Sequence, residues 1–383
     1  MKSVGTYNIR CFFALITLIL TLTAPYLYAY RNYKIPEEIY FADARIPLES
    51  YDVRERIQKL FNTLLNDRRG FIKNLLASEN NYIPYASEIL DTYGIHPDFA
   101  YIIPVESEFN PRALSPAGAS GPWQLMPATG RMYGLRVDNF IDERNLIDRS
   151  SAAAAEHLNM LSKLFNNDPF LMLAAYNNGD SNVRSSLESQ RSKCFWDIRS
   201  NFETESYVEK VVVYKMILSE PKKFGFSVPE KDRRSDYETF TVSLGPEDLY
   251  FSDISSVLNI SYRQFYNANP HIKFGSYKTG GYISRYTSVE ITVPGGAAEH
   301  LEYALRERNI ILSRKNDFIV EEKIPELIAF HQVMLNENIE SIAFKYGADW
   351  RKISYLNDLE IIKLNSGSET AKIYPGQTLR IVR

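Results

Sequence analysis

Glu106 is the carboxylate whose neighbours set it apart. It lies in PDFAYIIPVESEFNP, residues 97–111, where Phe99, Ile102, Ile103 and Glu106 recur at i, i+3, i+4 and i+7. That spacing places all four on one helix face, so Glu106 continues an apolar stripe. A carboxylate in such a place loses solvation, its charged form is disfavoured and its pKa rises. It can then hold a proton near neutral pH and give it away, as a general acid must. Glu108 lies two residues on, about 200° round the helix, and is expected in solvent. Pro97 suits a first helical turn, and Pro104, lacking an amide hydrogen, is expected to kink the helix just before Glu106. Taken alone, a glutamate on an apolar face is more often an ion-pair or hydrogen-bond partner than a catalyst.

The stretches that follow carry further polar groups that could line a cleft. FNPRALSPAGASGPWQLMPATGRMYGL, residues 109–135, holds Gly118 and Gly121, which permit tight backbone geometry and close approach of a ligand. Gln124 offers both a donor and an acceptor. AAYNNG, residues 174–179, puts Tyr176 and Asn177 at a helix end, where a side chain can project into a cleft. ETESYVEKV, residues 203–211, puts Tyr207 on the next helix. Plainer roles stay open for each: core rings for Tyr176 and Tyr207, a loop brace for Gln124, a helix cap for Asn177 and a helix hydroxyl for Ser107. Asp138 and Asp142 could serve a hydrolase, but their plain reading is solvated surface, as for the charged runs RERIQK (54–59) and EKDRRSD (230–236). There is no HExxH and no paired Cys/His spacing, so neither a metal nor a cofactor is expected.

The elements that must position these residues follow from pattern and composition. The chain has 383 residues, 24% charged and 45% hydrophobic, which predicts two or three domains with real cores. This excludes a disordered chain, a collagen-like repeat and a disulfide scaffold. A net charge of −3 gives no general basic field for nucleic acid. Residues 1–29 read as a secretory signal peptide, with Lys2 and Arg10 before the apolar run CFFALITLIL and Ala29 at the cleavage point. An uncleaved anchor helix, giving membrane association, is the rival. Cys11 lacks the small-residue box of a lipoprotein cysteine, and Cys194 is expected as a packed side chain without a disulfide. Residues 30–220 read as helices: RERIQKLFNTLL, NLLASENNYIPYASEILDTYG, RSSAAAAEHLNMLSKLFN with a serine start, and DPFLMLAAYNNG with Asp168 as N-cap, Pro169 first and Gly179 last. Residues 221–236 are polar and prolyl and read as a linker. Residues 237–294 spell strand, helices, strand. A helical linker over 295–324, containing the amphipathic AAEHLEYALRERN, leads to 325–383, which repeats that order.

The ordered blocks Glu106–Ser107, 109–135, 174–179 and 203–211 resemble the lysozyme-like lytic transglycosylases of the Slt type, most of all their D-type branch. The resemblance implies a multidomain chain: a mainly α lysozyme-like catalytic domain, then small α+β modules. In that family the residues matching Gln124, Tyr176, Asn177 and Tyr207 line a glycan cleft around the acid, and the serine matching Ser107 braces it. Pro122 and Trp123 depart from residues found in many relatives. Residues 325–383 resemble LysM modules, which fold as strand–helix–helix–strand and bind N-acetylglucosamine-containing chains; 237–294 is a more divergent LysM-like module. Ordinary glycosidases flank the bond with two carboxylates, whereas one glutamate stands out here. The resemblance implies a single-acid route in which Glu106 cuts peptidoglycan glycan strands without water, leaving 1,6-anhydromuramic acid ends. A muramidase using water and an inert cell-wall-binding scaffold are the alternatives. The implied protein is exported to the periplasm or cell envelope and works as a monomer. Its tethered modules raise the local substrate concentration.

Overall fold

The computed structural model describes residues 31–78, 82–227, 237–243, 249–273, 282–283, 288–294, 311–314, 327–357, 359–363 and 369–382. The segment 1–29 expected as a signal peptide, the amphipathic stretch at 297–309 and the charged run 230–236 lie outside them. Helix α1 (Tyr51–Leu65) turns Val53, Ile57, Phe61, Leu64 and Leu65 inward, and α2 (Arg69–Ala77) adds Ile72, Leu75 and Leu76. Helix α3 (Ile83–Thr92) starts with Pro84 in its first turn and is followed by Gly94 in a left-handed turn. The stretch NLLASENNYIPYASEILDTYG is thus shared between α2 and α3.

A 3-10 turn over Pro97–Tyr101 leads into α4 (Ile102–Ser107). The change of helix type falls at Tyr101, and Pro104 is the third residue of α4, where no intrahelical amide bond is due. The expected proline kink is therefore replaced by this junction. The junction is held from the N-terminal side. Strands β1 (Tyr40–Phe41) and β2 (Ala44–Arg45) form a short hairpin, and Phe41 packs edge-on to Phe99 at 5.3 Å. The Asp98 carboxylate accepts from the Ala42 amide at 2.9 Å and pairs with Lys215 at 3.2 Å.

Helices α5 (Pro127–Met132), α6 (Ile147–Leu164), α7 (Pro169–Asn178), α8 (Asp180–Ser189) and α9 (Phe202–Ser219) complete the first body. Helix α6 begins before the serines suggested as its start. Ser150 and Ser151 are buried inside it, and the Ser150 hydroxyl bonds the Leu146 carbonyl. Asp168 caps α7 as expected, accepting from the Phe170 and Leu171 amides, and Gly179 ends the helix at φ +82°. Helix α7 is apolar on nearly every side because it runs through the core, while α9 buries Tyr207, Val208, Val211, Val212 and Ile217 and exposes Glu203 and Lys210. Glu205 and Glu209 of α9 are buried against Arg56 of α1, so the RERIQK run is only partly the solvated face that its charge suggested.

Two boundaries move. Phe224 packs edge-on to Phe61, Phe226 is buried under the Arg69 guanidinium, and Arg69 donates to the Phe224 and Gly225 carbonyls. The first body therefore runs to residue 227, past the expected boundary at 220, because these two rings need its core. In the second unit β3 (Tyr237–Ser243) lies between β6 (Ser288–Pro294) and β7 (Ile311–Arg314), antiparallel to both. Between β3 and β6 come β4 (Leu249–Tyr250), α10 (Phe251–Val257), α11 (Tyr262–Ala268) and β5 (Tyr282–Ile283). Residues 311–314 correct the expected helical linker over 295–324: an Ile-Leu pair beside an open edge of β3 gains a ladder there.

The third unit runs β8 (Leu327–Gln332), α12 (Ile339–Tyr346), α13 (Trp350–Leu356), the hairpin β9 (Ile361–Lys363) and β10 (Glu369–Ala371), then β11 (Thr378–Val382), which pairs antiparallel with β8. Asn338 caps α12 and Gly347 ends it in a left-handed turn. Ile339, Ile342, Ile353, Leu379 and Ile381 form its core. A mainly α body followed by two small α+β units is the architecture that the sequence implied.

Candidate active site

Glu106 stands in the last turn of α4, and Ile102 and Ile103 beneath it are fully buried. The chain then turns sharply, since Glu108 and Phe109 both take left-handed backbone angles, φ 52° and 64°. Glu108 is exposed while Phe109 is buried, so the turn throws one outward and anchors the other. The Glu106 side chain is half-buried by solvent contact yet closely surrounded by protein, and the lost solvation pushes its carboxyl up to about 7; the Tyr207 hydroxyl pulls it down, Glu203 raises it by like charge and Lys210 lowers it. Among the described residues Glu106 forms no ion pair. The buried Tyr207 hydroxyl lies beside the carboxyl group, short of full hydrogen-bond geometry, and has no other partner among the described residues. Burial, together with the Glu106 charge, holds the phenols of Tyr207 and Tyr176 well above their usual range. Both are therefore neutral hydrogen-bond donors at any physiological pH.

The loop from 109 to 126 forms the facing wall. The Tyr176 hydroxyl donates to the Trp123 carbonyl at 2.8 Å, and the fully buried Trp123 indole donates to the Ser151 hydroxyl at 2.9 Å. Gly118, Gly121 and Gln124 all have positive φ, at 90°, 84° and 48°. Gly121 is irreplaceable on steric grounds, because a Cβ there would lie 1.9 Å from the Arg144 carbonyl oxygen. The loop is clamped by Arg144, which donates to the Gly118 and Leu125 carbonyls at 2.7 Å each. Arg144 in turn grips Asp142 as a bidentate fork, at 2.8 and 2.7 Å, with both side chains buried. Asp142 is thus no solvated surface group. Asp138 is half-buried, bonded to Arg136 and to the amides of Phe140 and Ile141. Neither carboxylate is available as a second catalytic group.

Residues 84–198 match the family model of the Transglycosylase SLT domain, and residues 331–382 match that of the LysM domain. This chain carries an SLT domain and a LysM domain. It is similar to membrane-bound lytic murein transglycosylase D of Escherichia coli (strain K12), 28% identical over 281 residues, which are 72% of this chain and 58% of that protein. The chain thus spans under two thirds of that relative. It is 30% identical over 117 residues to soluble lytic murein transglycosylase of the same strain, covering 28% of this chain and 18% of that one. Among solved structures it resembles an inactive mutant of lytic transglycosylase Slt from Pseudomonas aeruginosa, with 27% identity, a TM-score of 0.32, and coverage of 39% of this chain and 25% of that one.

Within the first body the structure brings Glu106, Tyr176 and, just beyond the SLT match, Tyr207 into one electrostatic cluster, with Gln124 on the adjoining loop. Gln124 Nε2 is turned into its own loop, donating to the Ala113 and Gly121 carbonyls at 3.0 and 2.9 Å, so its amide braces the wall. The Ser107 hydroxyl is buried and donates to the Ile103 carbonyl one turn back. Asn177 accepts from the Thr204 hydroxyl at 3.0 Å and so ties the end of α7 to the start of α9. Sequence reasoning missed Arg144, Ser151 and His157. The His157 ring lies 5.6 Å from that of Tyr176 and its Nδ1 is 3.2 Å from the Tyr133 hydroxyl. The Asp-x-Arg spacing of Asp142 and Arg144 was a local signal for the fork; nothing local marked the other two.

Proposed function

We propose that this protein is a peptidoglycan lytic transglycosylase, with Glu106 as the single general acid and base. One observation carries the reading: a carboxyl group titrating near 7 through burial, without an ion pair, flanked by two neutral phenols. A pKa close to ambient pH lets the same group donate a proton and then remove one. Protonated Glu106 delivers its proton to the oxygen joining N-acetylmuramic acid to N-acetylglucosamine. As that bond breaks, the substrate's acetamido group eases the oxocarbenium-like centre at C1. The Glu106 carboxylate then takes the proton from the muramyl C6 hydroxyl, whose oxygen attacks C1. Glu106 ends protonated, water is not consumed, and the product carries a 1,6-anhydro ring.

The surroundings suit each step. Tyr207 can bond the carboxylate once it forms, which tempers the cost of charge in a half-buried place. Tyr176 holds the Trp123 carbonyl and thereby the loop wall. Gln124 Oε1, Asn177 and the backbone of the glycine-containing loop are the proposed contacts for sugar hydroxyl and acetamide groups, with Ser107 behind the acid. The LysM domain is proposed to hold N-acetylglucosamine-containing chains. The segment 1–29 fits export to the cell envelope. The test is mass spectrometry of digested sacculi. Anhydro-muropeptides are the expected product; reducing ends would mean a muramidase, and an absence of fragments would mean an inert scaffold.

A further inference from the structure

The unit over 237–294 is joined to the SLT domain far more closely than a tether requires. Ile141 is buried in that unit's own core with Phe240, Phe251, Phe265 and Ile272, and pairs antiparallel with Ile272. The Asp142 amide donates to the His271 carbonyl at 2.7 Å, and the Lys273 amide to the Phe140 carbonyl at 2.8 Å. Arg149 meets Glu290 at 2.6 Å. The centre of the contact is Arg112. One of its terminal nitrogens donates to the Tyr266 and Asn269 carbonyls at 2.8 and 2.7 Å, the other to the Ile272 carbonyl at 3.2 Å. Its guanidinium also lies 3.9 Å over the Tyr266 ring. Helix α11 ends here, and the Tyr266 and Asn269 carbonyls keep only long bonds, 3.3 Å each, from the Asn269 and Ile272 amides. A planar fork of donors is the side chain best shaped to collect them.

Two paths lead from this contact to the loop wall beside Glu106. Arg112 adjoins Ala113, whose carbonyl accepts from Gln124 Nε2 and from the Gly121 amide. Asn145 donates to the Pro270 carbonyl at 2.9 Å and accepts from the Ser120 hydroxyl at 2.8 Å. The loop between them holds Gln124, a non-glycine residue at φ 48°, and such a backbone persists only where its surroundings over-determine it. We infer that the 237–294 unit is a fixed wall of the SLT domain that sets the position of the 113–125 loop, with Arg112 and Asn145 as positioning residues. The effect on substrate rests on the reading of Gln124 as a glycan contact. The avidity role expected of this unit gives way to one in binding geometry, while the LysM domain at 331–382 retains avidity.

The experiment uses the full chain carrying Glu106→Gln, so that ligand is not consumed. Into it go Arg112→Ala and, separately, Asn145→Asp. The second keeps volume and the acceptor for Ser120 but turns an oxygen toward the Pro270 carbonyl. Deuterium exchange of 113–125, 262–273 and α9 is followed by mass spectrometry. Binding of a soluble tetrasaccharide of alternating N-acetylglucosamine and N-acetylmuramic acid is followed by calorimetry. Exchange should rise in 262–273 and 113–125 together, α9 should keep its parental rate, and binding should weaken about tenfold. Faster exchange in 262–273 with 113–125 at its parental rate, or unchanged tetrasaccharide binding, would overturn the inference. A parent chain that binds no tetrasaccharide sinks the glycan reading of the cleft instead, and the exchange result still judges the coupling.

Discussion

A carboxyl group with a pKa near 7 leaves two signatures that can be measured separately. The first is kinetic. The bond-breaking step needs protonated Glu106, so kcat/KM should fall about tenfold per pH unit above a limb near 7. A limb near the ordinary glutamate value would mean that the buried setting is absent in solution. Glu106→Gln should lower turnover by at least about a thousandfold while glycan binding persists, which a parallel assay of release and calorimetric binding reads directly. The second signature is thermodynamic. The folded pKa is raised from 4.5 to about 7, so the unfolded chain releases this proton first as pH climbs. The stability that neutral Glu106 contributes is full below 4.5 and is lost as pH rises through 7, at most about 3 kcal/mol. Glu106→Gln should therefore be more stable than the parent in urea at pH 8 and similar to it at pH 4.5. The reverse ordering would contradict burial as the main cause.

Elements hold this residue at a distance from its own sequence neighbours. Helix α4 is only six residues long and would not persist alone; Phe41, Asp98 and Lys215 seat its approach, and α9 packs beside it. The loop wall discriminates between its two glycines. Gly121→Ala meets the Arg144 carbonyl and should cost more than about 2 kcal/mol together with most activity. Gly118→Ala faces open space and carries only backbone strain, so about 1 kcal/mol is expected. Thermal unfolding of the pair checks the order. At the joint with the 237–294 unit, His271 is buried and pushed down to about 4 by that burial, against the opposing Glu290 carbonyl and the charges of Glu290 and Asp148, and with the help of Arg112. Its neutral form is the one that fits, so the stability it contributes is full above 6.5 and is lost as pH falls toward 4, at most about 3 kcal/mol. The protection factors of amides in 262–273, which remove the slower hydroxide-catalysed chemical exchange at low pH, should accordingly fall at pH 5 relative to pH 7.5. Unchanged protection factors would show that His271 is protonated without penalty.

In the molecule as a whole, the two α+β units sit differently on the first body. One is locked to the SLT domain through Arg112, Ile141, Asn145 and Arg149. The other brings α13 alongside α5 and keeps a core of its own. Removing residues 327–383 should weaken sacculus binding severalfold while turnover of a short soluble glycan stays within about twofold, because avidity matters only on a polymer. Pelleting with sacculi and a soluble-glycan assay separate the two effects. Equal loss in both would count against avidity.

Pattern alone was enough for much of this. Glu106 on an apolar face, Asp168 and Gly179 bounding α7, and strand–helix–helix–strand order at both C-terminal units were legible, because helix periodicity, capping and β-propensity act over a few residues. The long-range partners were not. Whether Asp142 is solvated or locked to Arg144, whether Gln124 reaches outward or braces Ala113, and whether residues 311–314 extend a helix or edge a sheet depend on which surfaces meet after collapse. The same holds for Arg112, an ordinary basic residue in the sequence, whose three carbonyl partners lie more than 150 positions away. Desolvation and donor–acceptor pairing are decided by the tertiary surroundings of a group, so they could be read only once the chain had brought those surroundings together.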